Sequence, residues 1–120
     1  MARVAVIGAS PKLERYSNRA LRLLREAGHT PVPVSRQGRD ILGLTGYAAV
    51  DLIPDPVDTV TVYLSPEKQS PVIRGILAQR PRRVIFNPGA ENPEAYPRLS
   101  AAGIEVVEAC TLVLLSTGQF

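Results

Sequence analysis

The chain has 120 residues, of which 45% are hydrophobic and 21% charged, with a formal net charge of +3. That length fits a single domain over 1–120, because two would each approach the lower limit for independent folding. The charge is too slight to argue for nucleic acid, although it leaves room for a local cationic site facing an anionic ligand. One cysteine excludes an internal disulfide framework, and one cysteine with one histidine cannot build a zinc site. Met1-Ala2-Arg3 runs directly into a strand-like apolar run, without a signal peptide, and Leu112 to Leu115 is too short to span a bilayer. The expectation is a soluble cytoplasmic protein with no membrane contact.

Val4 to Ile7 is a short run apolar on both faces, the pattern of a central parallel strand. Gly8-Ala9-Ser10-Pro11 breaks it. Ala20, Leu23, Leu24 and Ala27 then recur at helical spacing, with Ser17 or Asn18 as a cap and Gly28 as the stop. Thr30 to Val34 reads as a second strand whose prolines imply irregular or one-sided pairing. The segment 35–58 is rich in glycine and proline and predicts mostly loop, with room for a short strand or a turn of helix. Thr59 to Leu64 alternates β-branched residues as a third strand. Ser65-Pro66-Glu67 has helix-start chemistry, but Pro71 moves the true start to Ser70, with Val72, Ile73, Ile76 and Leu77 as the apolar face. Val84 to Phe86 is a fourth strand, Asn92-Pro93 opens a helix ended by Gly103, and Ile104 to Val107 is a fifth strand. This alternation predicts an α/β, Rossmann-like doubly wound domain: a mainly parallel five-stranded sheet with helices on both faces. Ligands of such sheets bind at the carboxyl ends of the strands.

Four loops therefore carry the chemistry. Gly8-Ala9-Ser10 sits where a phosphate-binding turn belongs, with Pro11, Arg15, Tyr16 and Ser17 close behind, though the full G-x-G-x-x-G pattern is absent. The same residues also read as a plain tight turn. At the end of the second strand, where NAD-binding domains carry an acid for the ribose hydroxyls, stand Val34-Ser35-Arg36. Serine and arginine welcome a phosphate there, which leaves coenzyme A and NADP as ligands, unless Arg36 is merely solvated or Arg39 takes its place. Glu91, with Asn87 and Asn92, is the best polar cluster elsewhere, as a ligand contact or as a helix cap. Cys110 reads either as a small buried hydrophobe or as a thiol near the ligand's own. His29, after Gly28, reads as a residue solvating a helix end. No acid–base pair is visible, so the expectation is a binding protein without catalysis of its own.

Several motifs in order extend this reading: Val6-Ile7-Gly8-Ala9-Ser10-Pro11, Val32-Pro33-Val34-Ser35, Ile41-Leu42-Gly43, Ile53-Pro54-Asp55-Pro56-Val57-Asp58, Pro66-Glu67, Phe86-Asn87-Pro88-Gly89-Ala90-Glu91-Asn92 and Cys110. Together they resemble the small CoA-binding protein family, related to the nucleotide-binding domain of the succinyl-CoA synthetase alpha subunit. The resemblance implies coenzyme A across the strand ends, its pyrophosphate at Ala9 to Ser17 and its phosphorylated ribose at Ser35 and Arg36. Adenine and pantetheine would pass Tyr63, Leu64 and Ser65 and the run Asn87, Pro88, Gly89, Ala90 and Glu91. It implies a CoA or acyl-CoA carrier, sensor or partner module, with a protein partner or homo-oligomer left open. The alternative is an NADP-binding oxidoreductase-type domain.

Overall fold

The computed structural model describes residues 1–120. Five strands, β1 (Arg3–Ile7), β2 (Thr30–Val34), β3 (Thr59–Val62), β4 (Arg83–Phe86) and β5 (Glu105–Glu108), form one sheet in the order β2-β1-β3-β4-β5. Every pairing is parallel. The helices are α1 (Tyr16–Glu26), α2 (Ser70–Gln79), α3 (Tyr96–Ala101) and α4 (Thr111–Ser116). Short 3-10 turns at Val50–Leu52, Pro66–Lys68 and Pro93–Ala95 fill the connections.

The two-sided strands divide the core by residue parity. Val4 and Val6 pack with Leu21 and Leu24 of α1 and with Leu115 of α4. Ala5 and Ile7 join the larger cluster, where Val60, Val62, Val84 and Phe86 meet Ile73 and Ile76 of α2 and Leu99 of α3. The expected doubly wound architecture is thus present, with helices on both faces.

Three local expectations change. The buried face of α1 is Ser17, Ala20, Leu21 and Leu24, while Leu23 is 36% exposed. Both faces share Ala20 and Leu24, so periodicity alone could not choose; contact with Val4 and Val6 does. Ser17 and Asn18 lie inside the first turn rather than capping it, because the chain turns helical at Tyr16 and Arg15 takes the cap position with no side-chain bond. Asn18 instead ties the preceding loop down, donating to the Ser10 carbonyl at 2.9 Å. The third strand stops at Val62 rather than Leu64.

The segment 35–58 is loop that carries the short pieces of order expected of it, a 3-10 turn at Val50–Leu52 and two isolated bridges. Ile41 and Leu44 bridge across a tight turn, and Ile41 is buried against α1 and β1. Tyr47 returns to pair with Val34, donating to the Pro33 carbonyl and accepting from the Ser35 N–H. Prolines in β2 are tolerated because this partner is a single bridge on an edge strand.

Candidate ligand-binding cleft

In this strand order the chain leaves β1 in one direction and β3 in the other, so the loops after these neighbours diverge and open a crevice. A cleft of about 1070 Å³ occupies that point. Its floor and walls come from Ile7, Gly8 and Ala9 after β1, and from Val34, Ser35, Arg36 and Gln37 after β2. Ala48 to Asp51 contribute a third wall, and Leu64, Lys68, Pro71, Val72 and Gly75 complete it. The volume is at the upper end of the roughly 300–1,000 Å³ usual for small-molecule sites.

Two glycines make the walls close. Gly8 has φ +85°, and a Cβ there would come within 3.2 Å of the Tyr63 backbone and 3.3 Å of the Leu64 side chain. Glycine therefore lets the β1 and β3 ends meet at the switch point. In α2, a Cβ at Gly75 would lie 3.0 Å from both Asp51 Oδ1 and Val50 Cγ1. This allows the 3-10 turn at Val50–Leu52 to lie flush on the helix, where Gln79 Nε2 also holds it through the Val50 and Ile53 carbonyls at 2.8 and 3.2 Å.

Of the residues singled out from the sequence, Gly8, Ala9, Ser35, Arg36 and Leu64 line the cleft. Ser10, Pro11, Arg15, Tyr16 and Ser17 continue from its rim around the start of α1 but are not part of the lining. The N–H groups of Gly8 and Ala9 are not free for phosphate, since both donate to the Val34 carbonyl at 3.0 and 3.1 Å. Ser65 lies just beyond Leu64, outside the lining, and Tyr63 packs on the opposite face with Val4, Val6 and Leu21. The Tyr63 hydroxyl is buried beside Thr61 and Thr111 without a hydrogen bond of good geometry, and burial pushes its pKa up to about 12.

The loop from Asn87 to Glu91 is committed to structure. Asn87 is 1% exposed; its Nδ2 donates to Thr61 Oγ1 at 2.7 Å and to the Val62 carbonyl at 2.9 Å. Its Oδ1 accepts from the Thr111 N–H at 2.8 Å, so one amide joins β3, β4 and α4. Pro88, Gly89 and Glu91 are exposed and Ala90 is buried in the larger core cluster. Glu91 does not cap the Pro93–Ala95 turn; its Oε1 accepts from the Gly89 N–H at 2.8 Å and closes its own loop. Fully buried Gln69 completes this clamp, donating through Nε2 to the carbonyls of Leu64 at 2.8 Å and Ala90 at 2.7 Å.

His29 lies at the far end of the sheet. Its backbone N–H donates to the Leu24 carbonyl in the last turn of α1 at 3.0 Å, while its Nδ1 accepts from the Ala2 N–H at 3.2 Å and its ring packs on Phe120 at 5.1 Å, so it serves the helix end and joins the chain's two termini. Cys110 is a half-buried free thiol just before α4, outside the cleft lining. Sequence reading missed Lys68, Asp51 and Gly75. Lys68 had a signal, being one of only two lysines and following a strand; Asp51 and Gly75 join the site only through packing.

No helix is long and apolar enough to cross a membrane. A solved structure of an uncharacterized protein superposes at TM-score 0.93, with 42% identity over 100% of this chain and 98% of that one. Uncharacterized protein YneT of Bacillus subtilis (strain 168) is 28% identical over 105 residues, 88% of this chain and 78% of its own length. The dinucleotide forming acetyl-coenzyme A synthetase 1 of Ca. Korarchaeum cryptofilum shares the fold, at TM-score 0.79 and 21% identity over 90% of this chain and 26% of that one. The sequence profile described as CoA binding domain matches residues 2–116, which contain all five strands and all four helices, and the chain belongs to that family.

Proposed function

We propose that the protein binds coenzyme A or an acyl-CoA in the switch-point cleft and serves as a carrier, sensor or partner module without a reaction of its own. The end of β2 carries this reading. Ser35 and Arg36 stand on the cleft wall where a ribose-reading acid would otherwise be, and Arg36 has no ion-pair partner in the chain. A guanidinium there favours a phosphorylated ribose over a free diol. The cleft lining holds one carboxylate, Asp51, and neither histidine nor cysteine, which supports binding over acid–base chemistry.

Calorimetric titration with CoA, 3′-dephospho-CoA, NADP and NAD tests this. CoA should bind best, and both removal of the 3′-phosphate and Arg36→Ala should weaken it about tenfold, the scale of one charge-assisted contact. Tighter binding of NADP would replace this reading with an oxidoreductase-type domain, and binding of none of the four would remove it.

A further inference from the structure

The segment 12–25, the loop entering α1 and nearly all of that helix, holds five of the chain's 14 cationic side chains and one of its 11 acids. Its surplus therefore exceeds the +3 of the whole chain. None of the five cations forms an ion pair. Arg22 and Arg25 are held by uncharged acceptors, the Leu13 carbonyl at 2.8 Å and the Leu42 carbonyl at 2.9 Å, which fix their place without cancelling their charge. Arg19 lies over the Tyr16 ring at 5.5 Å. The neighbouring helix α4 carries no charged side chain.

The same face exposes apolar groups. Of the chain's six exposed large hydrophobic residues, Leu13, Tyr16, Leu23 and Val113 belong to α1, its entry loop and α4. α1 lies on β1 and β2, and α4 packs beside it, beginning at Thr111, which is hydrogen-bonded to Thr61 of β3 at 2.7 Å. Arg25 reaches the other way, to the turn that follows β2. Helical spacing puts Tyr16, Ala20 and Leu23 on the flank turned away from Arg25, and so toward α4. Tyr16 is 64% exposed there, and Val113 of α4 is 54% exposed.

Unpaired cations set among exposed apolar side chains call for a complement that is both anionic and amphipathic. Three apolar side chains between arginines fall short of the apolar centre of a protein interface, which buries about 800 Å² on each partner. An anionic bilayer needs less. Each arginine near it gains from the surface potential, while tyrosine and aliphatic side chains enter the headgroup boundary. Docking of this kind requires no helix that crosses the bilayer.

We propose that the α1–α4 face docks reversibly on an anionic lipid surface, with Arg19 and its neighbouring arginines against the headgroups and Tyr16, Leu23 and Val113 entering the boundary beneath them. This proposal is separate from the CoA reading, because none of these side chains lines the cleft. Sedimentation with vesicles of equal parts phosphatidylglycerol and phosphatidylcholine tests it. Wild type should bind these vesicles, bind pure phosphatidylcholine far less, and let go as ionic strength rises. Arg19→Glu should weaken binding about tenfold or more, at roughly fivefold per unit of charge, and Val113→Ser about fivefold. Arg74→Glu makes the same change in net charge on α2, which packs on the opposite face, and should bind within about twofold of wild type. Unchanged thermal midpoints show that these variants are folded. A wild type that does not bind, or that binds neutral vesicles equally, overturns the proposal, as does an equal loss in Arg19→Glu and Arg74→Glu. Binding to polyglutamate but not to vesicles would assign the face to an acidic protein and overturn it as well.

Discussion

At the amino ends of the strands, Arg82 grips Asp58 through contacts of 3.1 and 3.3 Å and reaches Glu105 at 3.7 Å, while Arg3 approaches Asp55 at 4.0 Å. Arg83, 9% exposed, donates to Thr59 Oγ1 and to the Phe120 carbonyl and lies over the Phe120 ring at 4.6 Å. At the carboxyl ends Arg36, Lys68 and Asp51 form no ion pair, and the groups bound internally are the amides of Asn87 and Gln69 and the Glu91 carboxylate, which accepts from the Gly89 N–H. The chain's ion pairs gather at one end, and the charged residues lining the cleft at the other form none. A paired guanidinium has its donors occupied, so only the unpaired end can recognise an anion at little cost in broken contacts.

The strongest challenge to this contrast is Asn87→Ala. It leaves the Thr111 N–H without its partner and removes a donor from Thr61 Oγ1 in the core, and should cost about 2–3 kcal/mol in denaturant unfolding. CoA affinity of the folded protein should stay unchanged; a large loss of affinity at full stability would make Asn87 a ligand residue and break the division.

Tyr63→Phe removes a buried hydroxyl that lacks a hydrogen bond of good geometry and should stabilise the fold by about 1 kcal/mol. Burial raises the Tyr63 pKa to about 12, so the folded state keeps a proton that the unfolded state loses near pH 10. Stability from this group is complete below pH 10 and falls as pH rises toward 12. In Tyr63→Phe that fall should shrink, with the remainder from Tyr96, also raised to about 12 by burial. Stability curves recorded between pH 9 and pH 12, the span that contains both transitions, measure it.

Arg82→Ala should have the smallest effect, below about 1 kcal/mol, because the pair is largely solvated, with no change in CoA binding. The hydrogen bond from Arg82 holds the Asp58 carboxyl below its usual pKa. Its contribution is therefore present above the ordinary carboxylate range and is lost as pH falls through the lowered value. In Arg82→Ala the acid limb of the stability curve should move to higher pH. A CoA effect comparable to that of Arg36→Ala would show that the two ends are not independent.

The elements were legible where a residue's neighbours in sequence are also its neighbours in space. Strand β1, the start of α2 at Ser70 despite Pro71, and the tight turn at Gly8 follow from periodicity and from the dihedral limits of proline and glycine. The cleft was legible at Gly8, Ala9, Ser35, Arg36 and Leu64 because a parallel sheet gathers its strand ends. For Asn87 and Glu91 the sequence carried no sign of their bonds to Thr61, Thr111 and Gly89, which only the fold brings together.

By itself, then, the sequence determined a doubly wound α/β domain and the sheet edge that carries its cleft, since hydrophobic period and turn chemistry are local. The tertiary structure decided which polar groups remain available at that edge. The hydrogen-bond capacity of Asn87, Gln69 and the Gly8 and Ala9 amides is taken up by residues distant in sequence, while Lys68 is left without a charged partner. Availability depends on what else lies within about 3 Å in the folded chain, and linear spacing carries no information on that.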